Sequence, residues 1–506
     1  MSAIDYIKNL FKRDEKKEKI FIRSFKGASR TRYTKWIDST LTKINSDIQS
    51  DLLTTITRCR DLAKNEPIIR SYLSMCEKNI IGKSGFSLQC QLKKDDNILD
   101  EELNNSIEWA WWEFGKTSNG FLTVDGGMGH NEFDSLILRT LLIDGEVFIR
   151  IHKNAKNPFG LSFEMIDAAA IDFTKQQEFN SNGVAIILGV EVDRKYKPLA
   201  YYVREGTVTA YTAGKIERVP ANEIIHLYKR EFPAQTRGIP PFNACLDSIK
   251  QLQDYRIAEL MGAKTSACLG IFYERNNMTT SGDFLDQSMN EENNAGEFIN
   301  SLEPGMASIA PTGYSVKSVT PTHPNSGYYE FNKSILTQMA SSLGVSYAKL
   351  CKDYSAVNYS SLREGTIDEA AYFSAQQEFL INNWKEKEFE LFIESYIVNG
   401  NTSLKPSRLK DILWYHQWVT VRRAYFDKGK DILAEKYAIE MGIKSPIMLL
   451  EEEGKDVDEV LKSYSLWNSL CKKYDLNFNS SKEDNLLNPE EDQSEEEQMN
   501  KDGRNG

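Results

Sequence analysis

Apolar positions recur at helical spacing over residues 51–83, where Leu52, Leu53, Ile56, Leu62, Ile68, Ile69, Leu73 and Cys76 trace one stripe. Pro67 predicts the start of a new segment inside that stretch. A second helix is predicted over residues 105–114. Its three tryptophans, Trp109, Trp111 and Trp112, are expected in the core rather than stacked on bases. The turn-rich run Asp125-Gly126-Gly127-Met128-Gly129 leads into a third helix at residues 131–143. The period then changes. Short β-branched and aromatic runs at residues 146–152, 161–166, 185–192, 199–203, 207–211 and 223–228 are separated by turn signals such as Asn157-Pro158 and Ser181-Asn182-Gly183.

Helical periodicity returns at residues 242–267, with Ile249, Leu252, Ile257, Leu260 and Met261 as the apolar stripe and mixed charges elsewhere. Residues 269–325 read as a small α/β insert, with strands near Ser308 and Val316. A helix at 328–343, an irregular polar segment at 346–361, and a helix of 362–398 interrupted near Asn382-Asn383 follow. Further helices run from 430 to 474. The fold class is α+β. No internal repeat occurs.

Composition narrows the picture. The chain has 506 residues, 41% of them hydrophobic, enough for several domains and a large core. No apolar run approaches the ~18–20 residues of a membrane span, and the apolar stretch 4–11 is interrupted by Asp5 and Lys8 and followed by its basic residues, unlike a secretory signal. The chain is expected to stay in the compartment where it is made, with no membrane partner. Seven scattered cysteines without CxxC spacing predict reduced, mostly buried thiols. Charge is uneven: eleven Lys/Arg and four Asp/Glu in residues 1–35, nine Asp/Glu and three Lys/Arg in residues 481–506, and an acidic body between. Two solvated tails are the plain reading; docking of each tail on a partner is the sharper one. The acidic body argues against tight duplex binding.

Candidate chemistry is sparse. Gly82-Lys83-Ser84 imitates a phosphate loop, but position 77 is Glu where such a loop needs glycine. His130, His152, His226, His323 and His416 form no HxxxH pair, so no metal site is expected, and no GxSxG elbow occurs. Asp144 and Glu146 could share a face for acid–base work or magnesium, or simply form a turn and a strand edge. No catalytic residue and no cofactor is assigned.

The order of short motifs says more than any one of them. In sequence come Arg60-Asp61-Leu62-Ala63-Lys64-Asn65-Glu66-Pro67, Ile80-Ile81-Gly82, Asp144-Gly145-Glu146-Val147-Phe148, Gly189-Val190-Glu191-Val192-Asp193, and Val219-Pro220-Ala221 with Ile225-His226. Then follow Gln235-Thr236-Arg237-Gly238-Ile239-Pro240, Leu302-Glu303-Pro304-Gly305, Asp353-Tyr354-Ser355-Ala356-Val357-Asn358-Tyr359-Ser360-Ser361-Leu362-Arg363 and Gly442-Ile443-Lys444-Ser445. Over about residues 25–475 the chain resembles the lambda-type portal protein family of tailed phages. It departs from the family at Asp427-Lys428, where the family has Asp-Pro, and in the stretch 278–294 and the acidic tail.

The resemblance implies a portal-type fold: a mixed α/β wing, a two-helix stem, a small α/β clip and a helical C-terminal crown. It divides the chain into a flexible basic arm (1–29), wing (30–241), stem helix (242–268), clip (269–327), second stem helix (328–343), tunnel loop (344–361), a return to the wing (362–429), crown (430–479) and a disordered acidic tail (480–506). It implies a homo-oligomeric ring, usually of twelve, at the capsid vertex of the virion, assembled in the host cytoplasm. Double-stranded DNA would pass through it transiently and without sequence preference. The partners implied are the terminase large subunit, the major capsid or scaffold protein, and a head–tail adaptor.

Duplex phosphates come about every 1.7 Å of axis, so a channel needs weak, scattered cations rather than a basic lining. Lys349, Lys352, Asp353, Tyr354, Asn358 and Tyr359 are the expected tunnel-loop residues, Lys250, Arg256 and Lys264 the expected stem channel face, and Arg363 an anchor. Ordinary surface lysines or salt bridges between subunits remain the alternative for these cations. Two other function classes stay open: a minor capsid component, or a nuclease or ATPase of the packaging machinery.

Overall fold

The computed structural model describes residues 42–94, 98–206, 214–267, 270–275, 314–319, 327–355, 358–399, 406–421, 428–452, 455, 457–474 and 476. The basic arm 1–29, the acidic tail 480–506, the expected strand at 207–211, Ser308 and His323 lie outside these residues.

Helix α1 (Ile44–Asn65) begins earlier than the apolar stripe suggested, and α2 (Pro67–Cys76) starts at Pro67 as expected. Between them Glu66 is extended, because the residue before a proline is pushed out of the helical region. A π-helical turn, Glu77–Ile81, ends at Gly82 with φ 64°. Strand β1 (Ser87–Cys90), α3 (Glu101–Phe114) and α4 (His130–Asp144) follow.

Three of the next strands, β2 (Glu146–Lys153), β3 (Leu161–Ile166) and the later β8 (Ile224–Tyr228), make one antiparallel sheet in the order β3-β2-β8. The run 185–192 is not one strand. Leu188 and Gly189 both take positive φ, folding it into the hairpin β4 (Ala185–Ile187) and β5 (Val190–Val192). With β6 (Pro198–Arg204) and β7 (Ile216–Pro220) these form a four-stranded antiparallel sheet.

Helix α5 (Leu246–Ala267) leads to β9 (Gly270–Arg275), which pairs antiparallel with β10 (Tyr314–Val319). Then come α6 (Tyr328–Ser342), the short α7 (Tyr347–Cys351), and α8 (Tyr359–Leu380). A π-helical turn, Ile381–Lys385, joins α8 to α9 (Glu386–Val398), where the interruption near Asn382-Asn383 was expected. The described chain closes with α10 (Leu409–Trp414), β11 (His416–Val419) antiparallel to β1, and α11 (Lys428–Glu440), α12 (Pro446–Glu452) and α13 (Val457–Lys473). The fold is α+β, as predicted.

One large core gathers α2, α3, α4, α6, α8 and α9 around Tyr72, Phe114, Phe133, Phe242, Trp384, Phe389 and Phe392. A smaller one lies beneath the four-stranded sheet, joining Ile48, Leu52 and Ile56 of α1 to Phe148, Val190 and Tyr201. Of the three tryptophans, only Trp111 is core; it stacks on His130 with ring centroids 4.2 Å apart. Trp109 and Trp112 are 64% and 48% exposed, because they lie on the side of α3 opposite Asn104, Ile107 and Trp111.

The α5 stripe is also divided. Ile249 and Leu252 are buried, whereas Ile257, Leu260 and Met261 are more than half exposed. No described helix is long and apolar enough to cross a membrane.

Candidate functional site

The segment expected to line a channel is not a structureless loop. After α6 the chain turns at Gly344 (φ 72°), where an added Cβ would come within 2.8 Å of the Tyr372 ring. Ser346 caps α7 through the Lys349 amide, and the Ser346 amide donates to Glu369 at 2.8 Å. Residues 347–351 are helical because the cap and a row of good helix formers, Ala348, Lys349 and Leu350, act together. The Ser71 hydroxyl donates to the Leu350 carbonyl at 3.1 Å, and Tyr72 and Tyr372 share a 2.6 Å hydroxyl contact beneath the turn. The segment is therefore clamped between α2 and α8.

The charged side chains separate into two kinds. Lys349 is paired with Glu369, which is almost fully buried. Lys352 is exposed, sits in the left-handed region at φ 56° as the C-cap of α7, and has no side-chain partner among the described residues. Asp353 accepts from Tyr329 (3.0 Å), Tyr347 (3.1 Å), and both the amide and the hydroxyl of Ser355 (3.2 and 2.6 Å). These donors, Ser355 foremost, hold its carboxyl at about 2.

Tyr354 is half exposed. Asn358 is the N-cap of α8, its Oδ1 accepting from the Ser361 amide at 2.9 Å. Tyr359 is the first residue of that helix. Arg363 is exposed, without an ion pair among the described residues.

The three stem cations do not share a face. Lys250 is exposed and pairs with Asp254 at 2.6 Å, and Lys264 is exposed. At 100° per residue these two lie near one another around α5, but Arg256 lies elsewhere. Arg256 reaches the buried Glu66 at 3.4 Å, and Gln253 donates to the same carboxylate at 2.8 Å. It ties α5 to the α1–α2 junction.

A second cluster, not foreseen as a unit, joins four of the short motifs. Asp144 and Glu146 flank Gly145 but serve different partners. Arg60 spans Asp144 (2.6 Å) and Asp167 (2.6 Å). Arg237, 1% exposed, is bidentate to Glu146, Nη2 to Oε1 at 2.6 Å and Nε to Oε2 at 3.0 Å, and also donates to the Leu188 and Ala168 carbonyls. The Gly238 amide adds a bond to Glu146 at 2.9 Å, and His226 lies at 3.2 Å. Burial alone would raise the Glu146 pKa; Arg237 and His226 override it and hold the carboxyl at about 2. Burial also lowers the His226 pKa, against the pull of Glu146.

Gly145 and Gly238 must be glycine here. A Cβ on Gly145 would sit 2.3 Å from the Ile239 carbonyl carbon, and one on Gly238 would sit 2.2 Å from the Gly145 oxygen. With each acid held by its own arginine, the pair is a structural device: Asp144 ends α4 and Glu146 opens the central strand β2, rather than a strand edge. No group of His, Cys, Asp and Glu among the described residues could hold a metal.

The fold also leaves apolar side chains exposed on three helices. Tyr329 and Phe331 of α6 accompany Ile257, Leu260 and Met261 of α5, and Leu461, Tyr464, Trp467 and Leu470 are exposed on α13.

Comparison with known proteins agrees with the motif order. Residues 29–377 match the family described as phage portal protein, lambda family. The chain is 28% identical over 459 residues to the probable portal protein of Halomonas phage phiHAP-1, covering 89% of this chain and 87% of that one. It is 23% identical to portal protein B of Escherichia phage lambda, covering 80% of this chain and 81% of that one. Among solved structures it is similar to a chain in the neck of an empty GTA particle computed with C6 symmetry. That similarity has a TM-score of 0.41 at 13% identity, covering 79% of this chain and 93% of that one.

Proposed function

The chain belongs to the lambda family of phage portal proteins, and from that premise we propose that its copies close a ring at one capsid vertex. Double-stranded DNA enters through the ring during packaging and leaves through it during ejection. The observation that carries the reading is the family match over more than half the chain. Geometry supports it: α5 and α6 flank the β9–β10 pair as a stem flanks a clip, and their bare apolar rows suit a neighbouring copy. Head-to-tail contacts of this kind close into rings when the rotation permits, here about twelve copies. The terminase large subunit, the capsid or scaffold protein and a head–tail adaptor are its proposed partners, and the head vertex of the virion is its proposed place.

Within that reading we assign residues 30–241 to the wing, 242–268 and 328–343 to the stem, 269–327 to the clip, 344–361 to the tunnel segment and 430–479 to the crown. Lys352 is the phosphate-facing cation of the tunnel segment. Lys349 is not, because swinging it away would strand the buried Glu369 charge. Tyr354, Lys250 and Lys264 complete the proposed DNA-facing set. Arg256, spent on Glu66, is withdrawn from it.

The test is a packaging assay with capsid precursors that carry this chain as their portal. Nuclease-protected, full-length DNA is the expected result. Closed rings in such precursors with no protected DNA would contradict the channel role.

A further inference from the structure

Beside the Arg60 ion pairs lies a groove of about 580 Å³ on the α/β body, a size typical of binding sites. Its walls are α4, β3, the loop before α4 and the end of α1. Met128, Leu136, Ile143 and Met165 are only partly buried along its floor, and Val124 is exposed at its edge. Its rim carries Arg60, Arg139, Asp125, Asp144, Glu164 and Asp167, a net charge of −2. Arg60 is taken by Asp144 and Asp167, and Arg139 by Glu77, so the rim cations are already neutralised. Asp125 has no Lys or Arg partner among the described residues, and Glu164 pairs with the partly exposed His152 at 2.7 Å rather than with a Lys or Arg.

The chain itself contains a segment of matching chemistry. Ile4, Ile7, Leu10 and Phe11 are spaced three or four apart or adjacent, and Asp5, Lys8, Lys12 and Arg13 give the decapeptide a net charge of +2. The function proposed above makes no use of it. Reach is ample. The roughly 30 residues between Phe11 and Thr42 span up to about 100 Å when extended. From the start of α1 to Arg60 at the groove is only about 24 Å at 1.5 Å per residue.

We propose that this N-terminal segment, residues 4–13, docks in the groove between α4 and β3, its apolar side chains on the Met128, Leu136 and Met165 floor and its cations against Asp125 and Glu164. Tethering raises the local concentration of the segment far above that of any free competitor. Docking would hold the basic arm against the wing and keep its charge away from the DNA path. The assignment does not depend on the channel reading.

The test places a photoreactive benzoylphenylalanine at position 11 of the full-length chain. After irradiation, peptide mapping is expected to find the adduct on Val124–Met128, Leu136 or Met165, within one chain or between two copies. Val124→Lys, at an exposed position that cannot unfold the core, is expected to cut the adduct yield; a loss of 1.4 kcal/mol would be about tenfold. Asp125→Lys with Glu164→Lys should do the same, more strongly at low salt. Adducts mapping elsewhere, to another protein, or not forming at all would overturn the proposal. So would yields unchanged by both sets of groove variants.

Discussion

Arg237 holds together parts of the chain that are far apart in sequence: the start of β2 through Glu146, the β4–β5 turn through Leu188, and the segment after β3 through Ala168. Removing one partner of a fully buried pair strands the other charge and costs about 3–5 kcal/mol, while replacing both by apolar groups costs much less. Arg237→Met should therefore destabilise the fold severely, and Glu146→Leu added to it should restore part of the loss, read by denaturant unfolding. His226 supplies a pH dependence. Burial disfavours its protonated form in the folded protein, whereas in the unfolded chain it takes a proton near its ordinary 6.5. Stability is thus present above that value and declines as pH falls below it, with Glu146 adding a further loss toward about 2. His226→Phe should flatten the change in melting temperature between pH 7 and 5; an unaltered slope would remove His226 as its cause. In the proposed tunnel segment, Lys352→Ala should reduce packaged DNA with rings intact, whereas Lys349→Ala should loosen α7 and lower the melting temperature. Equal packaging defects from both, without a stability change in the second, would contradict the division made here. The motifs around Asp144 and Arg237 were readable in sequence as separate marks. Their meeting was not, since no period or spacing records a contact across ninety residues.

At the scale of elements, periodicity was a good guide where one face is buried. The break at Pro67, the interruption near Asn382-Asn383 and the strand at residues 161–166 all stand where the pattern placed them. It failed where local chemistry decides. Ser346 is a capping residue in a polar run, and the helix it starts is one turn long, too short to show a period. The two tryptophans beside Trp111 were expected in the core because hydrophobicity alone does not tell which side of a helix faces inward. Asn358 caps α8, and Asn358→Ala should cost about 1 kcal/mol in thermal or denaturant unfolding. Asp353→Asn should weaken the tyrosine hydroxyl bonds that fasten the segment to α6, seen as faster hydrogen exchange at Tyr354 and Ser355; unchanged exchange would show that this carboxylate does not fasten it.

Over the whole molecule, apolar side chains on α5, α6 and α13 stay exposed in a chain that otherwise packs dense aromatic cores. Such exposure suits an interaction surface. A second copy is the proposed partner, and ring closure the proposed result. Leu260→Asp, at an exposed position, should leave the subunit folded by circular dichroism yet prevent closure. The most direct measurement is electron microscopy of the purified full-length chain across protein and salt concentrations, without DNA or other phage proteins. Closed rings of about twelve subunits with a central opening wide enough for duplex DNA are expected, lost in Leu260→Asp. Monomers at every concentration, or open filaments without a hole, would contradict ring closure.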